Sequence, residues 1–230
     1  MLELKKINLS TGNQHILRNI CVTFEKGKIY GLLGPNGSGK TTLFKTILGL
    51  TKYTGKIYSS DKEKYGMLIE YPGFYENLTI IENMKLHAKY LQVKESESIK
   101  EMLEKVDLWG KKDKKTSQLS LGMKQKLGIA RAFLGYPTVV LLDEPTNGLD
   151  PIAIKEIRKL IKDSLISKDN CIVISSHNLS EMTAVADELI FIKDGEIVKS
   201  IKNEGLNSGK LEEIYEEVIQ GGNNEISNSQ

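Results

Sequence analysis

Cysteine is nearly absent. The 230 residues hold only Cys21 and Cys171, far apart and without the spacing of a metal-ligand set. This argues against a disulfide framework and against a cysteine-based metal site. Cys171 abuts a strand-like apolar run and reads as a reduced, buried thiol, which suits the cytosol. Long apolar runs are missing too. None approaches the roughly 18 residues that cross a bilayer, and the opening Met1–Lys6 has no signal-peptide core. The expectation is a soluble protein that meets a membrane only through a partner. Nor is there a surplus of one charge: 32 Lys and Arg stand against 30 Asp and Glu. That balance leaves no broad basic field of the kind nucleic-acid binding needs. The one dense basic run, Lys111-Lys112-Asp113-Lys114-Lys115, reads as a solvated loop. No internal repeat is visible, and the length suits one domain, or one domain with an inserted lobe, around a real core.

What is present is organised around Gly34-Pro35-Asn36-Gly37-Ser38-Gly39-Lys40-Thr41, which reads G-x-x-x-x-G-K-T. Gly34, Gly37 and Gly39 allow a tight curl in which successive N–H groups point inward as an anion nest. Lys40 is placed to reach the β- and γ-phosphates of a nucleoside triphosphate, and the Thr41 hydroxyl to ligate Mg²⁺. The stretch from Thr42 to Leu48 has helical spacing, so a helix N-terminus would face the phosphates. Ile29–Leu33, just before the loop, reads as a buried strand. Strand, glycine loop and helix form the context this motif requires.

Along the rest of the chain, residues 1–30 read as short strands with turns. Strands are also expected over 56–59 and 65–70. After Pro72-Gly73 the pattern turns helical, with helices over 78–92, 98–106 and about 121–135. A core of α/β type then resumes: strand 138–142, helix 152–167 with Pro151 at its start, strand 171–175, helix 179–187, a hairpin across Lys193-Asp194-Gly195, and a short helix 211–219. The implied organisation is one domain over 1–220. Its core spans about 1–72 and 136–220, its helical subdomain about 73–135, and the polar tail 221–230 is expected to be disordered.

Further pieces extend the site. Val139–Leu142 is an apolar strand ending in Asp143 and Glu144. Asp143 can hold the water shell of Mg²⁺, and Glu144 can orient an attacking water in line with the γ-phosphorus. In Leu119-Ser120-Leu121-Gly122-Met123-Lys124-Gln125, Ser120 is a good N-cap and Gly122 allows close backbone approach. That segment fits a γ-phosphate receptor or an ordinary capped helix equally well.

With these pieces in order, roughly residues 1–220 resemble the nucleotide-binding subunit of an ABC transporter. Gly34–Thr41 is similar to the Walker A motif and Leu119–Gln125 to the family signature, with Leu121 where glycine is commoner. Leu141–Glu144 resembles Walker B, Asn147–Asp150 the D-loop, and His177 the switch histidine. The resemblance implies a RecA-like P-loop NTPase core with an N-terminal antiparallel β subdomain and an inserted α-helical subdomain. It also implies that ATP is held by Gly34 to Thr42, that Glu144 and His177 are catalytic, and that Mg²⁺ is bound by Thr41, Asp143 and Glu70. Ser120 and Gly122 would complete the site of a second subunit in a head-to-tail homodimer or pseudo-dimer. The stretch Gly66–Thr79 resembles the bacitracin-resistance and lantibiotic-immunity branch, which similarly carries glutamate at position 70 where most relatives have glutamine. The implied setting is the inner face of the cell membrane, where the helical lobe grips an integral membrane permease. The rival is a soluble ABC ATPase that moves nothing, such as an iron–sulfur assembly scaffold. One departure stands out: the family usually has an aromatic near position 11 to stack on adenine, and here the residue is Thr11, so either His15 stacks instead or adenine is held loosely.

Overall fold

Side chains alternate across a strand, so a sheet with two apolar faces needs strands apolar at every position. Ile29–Leu33 (β3), Val139–Asp143 (β6) and Cys171–Ser176 (β7) are buried throughout and meet that requirement up to the polar ends Asp143 and Ser175-Ser176. The computed structural model describes residues 1–59, 64–69, 72–93 and 95–220. Glu70 and the segment 221–230 lie outside the described residues, and with them the expectations placed there.

A sheet of six strands runs in the order β5-β6-β7-β3-β8-β9. Strands β5 (Tyr65–Leu68), β6, β7, β3 and β8 (Glu188–Lys193) are parallel, and β9 (Glu196–Lys202) closes one edge antiparallel. On one face, Ile29, Leu33, Val140, Leu142, Ile172, Ile174, Leu189 and Phe191 join a core with the helices. On the other, Tyr30, Leu32, Val139, Leu141, Cys171, Val173, Ile190 and Ile192 pack with helix α1 (Lys40–Ile47) and a second sheet. That second sheet is antiparallel, ordered β2-β1-β4 from Gln14–Phe24, Leu2–Thr11 and Thr54–Tyr58. The amino-terminal region is therefore two long strands with irregular register rather than several short ones.

The helices between β5 and β6 are α2 (Ile80–Leu91), α3 (Glu95–Lys105) and α4 (Leu121–Ala132). Helix α2 begins at Ile80, two residues after the expected start. Thr79 takes the N-cap, accepting from Glu82 N while Glu82 returns a carboxylate to Thr79 N at 2.8 Å. Helix α4 stops at Ala132 rather than near 135, and Tyr136 is left at positive φ before β6. Beyond β6, helix α5 (Pro151–Leu160) loosens into a π-helical turn over Ile161–Leu165 where an unbroken helix to 167 was expected. Helices α6 (Leu179–Val185) and α7 (Ser208–Gln220) complete the helical layer.

The segment ahead of α2 is pinned from three sides. The Arg131 guanidinium on α4 donates to Gly73 O at 2.6 Å and lies 4.6 Å from the centre of the Phe74 ring. Asn83 Oδ1 accepts from Tyr75 N at 3.0 Å, and Thr116 Oγ1 donates to Tyr75 O at 2.9 Å.

Strand β5 lies against the end of α4 so closely that Gly66 is sterically required. A Cβ there would stand 1.8 Å from the carbonyl oxygen of Ala132, which is backbone and cannot rotate away. Gly66→Ala should therefore cost about 3 kcal/mol, at the upper end of ordinary overpacking. In a chain of this size that lowers the melting temperature by about 6–12 °C, readable by calorimetry against the wild type.

Candidate functional site

The parallel order brings distant sequence to one place. Strands β6, β7 and β3 are neighbours, and in their register Asp143 sits opposite Ser175 and Leu33 opposite Ser176. Their carboxyl ends are thus level, which is where open α/β sheets place ligands. The loop 34–39, the acids 143–144 and His177 all leave the sheet at that edge.

Gly34 can only be glycine, since a Cβ would meet Ile192 O at 2.2 Å and Ser38 Oγ at 2.7 Å. Gly37 and Gly39 both take positive φ, and Gly39 leads directly into α1. The Lys40 ammonium bends back and donates to Gly34 O at 2.7 Å and Pro35 O at 3.1 Å. Two of its three N–H donors fasten the loop, and the third remains to face an anion. Burial pushes the Lys40 ammonium below the usual lysine value, against the opposing pull of the Glu144 and Asp143 carboxylates. The backbone of Ser38 is tied to Pro35 O and Gly195 N. Its buried hydroxyl has no partner among the described residues, so no hydrogen bond requires the side chain.

Helix α1 differs from α2, α4, α5 and α6 in its cap. Helices α2, α4, α5 and α6 carry side-chain caps from Thr79, Ser120, Asp150 and Asn178. At α1 the N-cap is Gly39, with no side-chain cap and no acid in the first turn. The N–H groups of Lys40, Thr41 and Thr42 therefore lack an intrahelical acceptor and a capping side chain. With the helix dipole they make a seat for negative charge that nothing in the helix itself fills.

Thr41 Oγ1 donates to Asp143 Oδ2 at 2.5 Å, so two of the three expected metal ligands touch, the third, Glu70, lying outside the described residues. Asp143 is 5 % exposed, and its other oxygen accepts from Ser175 Oγ. The hydroxyl and carboxylate fit Mg²⁺, a hard cation that completes its shell from phosphate oxygens and water. Among the described residues no cluster of three or more His, Cys, Asp or Glu forms a closed cage.

Glu144 stands at φ 46°, its N–H shared between Ser175 Oγ at 2.9 Å and Ser175 O at 3.2 Å. Its carboxylate lies 3.1 Å from His177 Nδ1, with the histidine 57 % exposed and the glutamate 23 %. Ser175 thus holds both acids through one hydroxyl. It was visible in the sequence only as a strand residue, because its role depends on register with β6.

Ser120 and Gly122 lie elsewhere. Helix α4 packs on β5, β6, α2 and α3, whereas α1 packs on β6 and β2. Ser120 Oγ accepts from Met123 N at 3.3 Å, capping its own helix. Gly122 has no neighbour within 3.4 Å of a would-be Cβ; the nearest are Ala153 Cβ at 3.8 Å and Leu149 Cδ2 at 4.0 Å. Asp150 caps α5 by accepting from Ile152 N and Ala153 N. Near the loop, His15 is exposed and its Nδ1 pairs with Ser10 Oγ at 2.8 Å, while its neighbours Ile16 and Leu17 line Gly39.

Comparison with known proteins points the same way. The family described as ABC transporter matches residues 17–147. The lantibiotic transport ATP-binding protein SrtF of Streptococcus pyogenes is 42 % identical over 227 residues, covering 95 % of this chain and 97 % of SrtF. The bacitracin transport ATP-binding protein BcrA of Bacillus licheniformis is 43 % identical over 201 residues, covering 83 % of this chain and 66 % of BcrA. Among solved structures, an ATP binding subunit of an ABC transporter matches with TM-score 0.82 and 27 % identity over 94 % of this chain and 98 % of its own. The dimeric ATP-binding cassette MJ0796 bound to ADP and Pi matches with TM-score 0.77 and 26 % identity over 90 % and 100 %.

Proposed function

The chain belongs to the ABC transporter family, and from that premise we propose that it powers export of a peptide antibiotic of the lantibiotic or bacitracin kind through a separate membrane permease. The carrying observation for the chemistry is the uncapped N-terminus of α1 beneath a loop fastened by Lys40. ATP places its phosphates there. Lys40 offers its free N–H to the β- and γ-phosphates, and the N–H groups of Lys40, Thr41 and Thr42 supply the rest of the cradle. Mg²⁺, held by Thr41 and Asp143, would neutralise charge on the phosphate oxygens as the bond to the γ-phosphoryl group breaks. Glu144 orients the attacking water and accepts its proton, and His177 contacts that carboxylate and the γ-phosphate side of the site.

Among the described residues nothing lies closer than 3.8 Å to a Cβ built at Gly122, which leaves that position open to a second subunit. In a head-to-tail dimer Ser120 and Gly122 would cover the γ-phosphate of the partner. The names of SrtF and BcrA support the antibiotic class. They also favour transport over the iron–sulfur scaffold alternative. No helix among the described residues is long and apolar enough to span a membrane, so a permease would provide the path. The pinned segment with Phe74 and the exposed Tyr75 is the candidate contact for it.

The composite site is tested by mixing Lys40→Ala with Ser120→Arg subunits. Each homodimer has two damaged sites; the mixed dimer has one doubly damaged and one intact. The mixture should hydrolyse ATP above either variant alone, and equal activity would exclude shared sites. Co-purification with a multi-span permease, and antibiotic sensitivity on deleting the chain, test the transport half.

A further inference from the structure

A glutamate three residues after an N-cap ordinarily returns its carboxylate to the N-cap N–H, as Glu82 does for Thr79 at the exposed start of α2. Glu181 occupies the same position in α6, after Asn178, but is used differently. The Asn178 N–H is taken by Ser176 Oγ at 2.9 Å. Glu181 is 4 % exposed, and its two oxygens are divided between two loops. Oε1 accepts from Asn178 Nδ2 at 3.0 Å, beside His177; Oε2 accepts from Thr146 Oγ1 at 2.5 Å, two residues after Glu144. Thr146 is itself buried. No lysine, arginine or histidine pairs with this carboxylate in any described contact. A carboxyl group buried this deeply needs hydrogen bonds to offset its desolvation, and both of those it makes go to the two loops.

We infer that Glu181 is a positioning residue that ties the loop carrying Glu144 to the loop carrying His177, and so sets the distance between those two side chains during ATP hydrolysis. The two loops together line a small cavity of about 130 Å³ with Glu144, Asn147, His177 and Glu181 on its walls. The direct Glu144–His177 contact at 3.1 Å is exposed and weak on its own. The buried link behind it fixes the spacing. The inference rests on the ATPase reading above.

The test uses purified full-length chain carrying Glu181→Met, Thr146→Val, Thr146→Ser or the pair Glu181→Met/Thr146→Val. Methionine keeps the unbranched stem but removes both carboxylate oxygens, so neither loop is anchored; glutamine would keep the link, because its NH₂ can donate to the Thr146 hydroxyl. Turnover should fall about tenfold in Glu181→Met and in Thr146→Val, while KM for ATP and ADP affinity stay within about twofold. The double variant should be no worse than Glu181→Met, because the same link is broken in each. Thr146→Ser keeps the hydroxyl and should keep turnover. The chain has three histidines, so proton NMR gives a readout independent of activity. The His177 ring signal should move alike in Glu181→Met and Thr146→Val, with His15 and His87 unchanged. Unchanged turnover, an equal loss in nucleotide affinity, additive losses in the pair, or an unmoved His177 signal would overturn the inference. Should Glu181→Met fail to fold, the Thr146 variants decide alone. A wild type without ATPase activity would instead overturn the proposed function, and this inference with it.

Discussion

Glu144→Gln should leave ATP binding intact and lower turnover by about a hundredfold or more, roughly 2.7 kcal/mol in the barrier. The substitution is mild in every respect but one. Glu144 sits at φ 46°, a region costly for a branched or bulky side chain, and glutamine keeps the same unbranched stem. The two bonds from its N–H, one to Ser175 Oγ and one to Ser175 O, do not involve the Glu144 side chain and survive. The amide oxygen can still meet His177. What goes is the negative charge and the basicity that accept a proton from water. Bound ATP would then persist, and a nucleotide-dependent dimer should accumulate, visible by size-exclusion chromatography with ATP and Mg²⁺. Near wild-type hydrolysis, or a chain that stays monomeric with ATP, would refute this role for Glu144.

The parts of this site that sequence displayed are those whose geometry is local. The P-loop is a run of eight residues whose glycines, lysine and threonine each have a use that depends on immediate neighbours. Asp143 and Glu144 were legible because an apolar strand ends on them. Ser175 was not, since its importance arises from facing Asp143 across two strands 32 residues apart in sequence. Thr146 and Glu181 were equally silent: a threonine in a loop and an acid in the first turn of a helix have many uses, and only burial and mutual contact distinguish this one. Element boundaries went wrong where local chemistry outran periodicity, as at the Thr79 capping box and the π-helical turn that ends the α5 region. Ser120 shows a different limit. Its capping bond to Met123 N is fully explained within one chain, so neither the sequence nor the monomer can display what it would offer to a partner's nucleotide.

Lys40→Ala should weaken ATP binding by about a hundredfold, roughly 2.7 kcal/mol, within the range of one or two charge-assisted hydrogen bonds. Two losses combine. The ammonium no longer meets the β- and γ-phosphates, and the carbonyls of Gly34 and Pro35 lose the donor that fastens the loop. The second loss separates Lys40 from a simple surface cation. Lys40 is 6 % exposed and already partly stripped of water, with its ammonium pushed below the ordinary lysine value. Its desolvation has been met before the nucleotide arrives, so more of its attraction for the phosphates is realised on binding. Lys40→Arg should not rescue affinity, because a planar fork cannot donate at once to two loop carbonyls and a phosphate from the space of one ammonium. Isothermal titration with ATP and with ADP separates the contributions: the loop-fastening loss is common to both, and the γ-phosphate loss appears with ATP alone. Unchanged affinity for both nucleotides in Lys40→Ala would mean that phosphate does not bind at this loop.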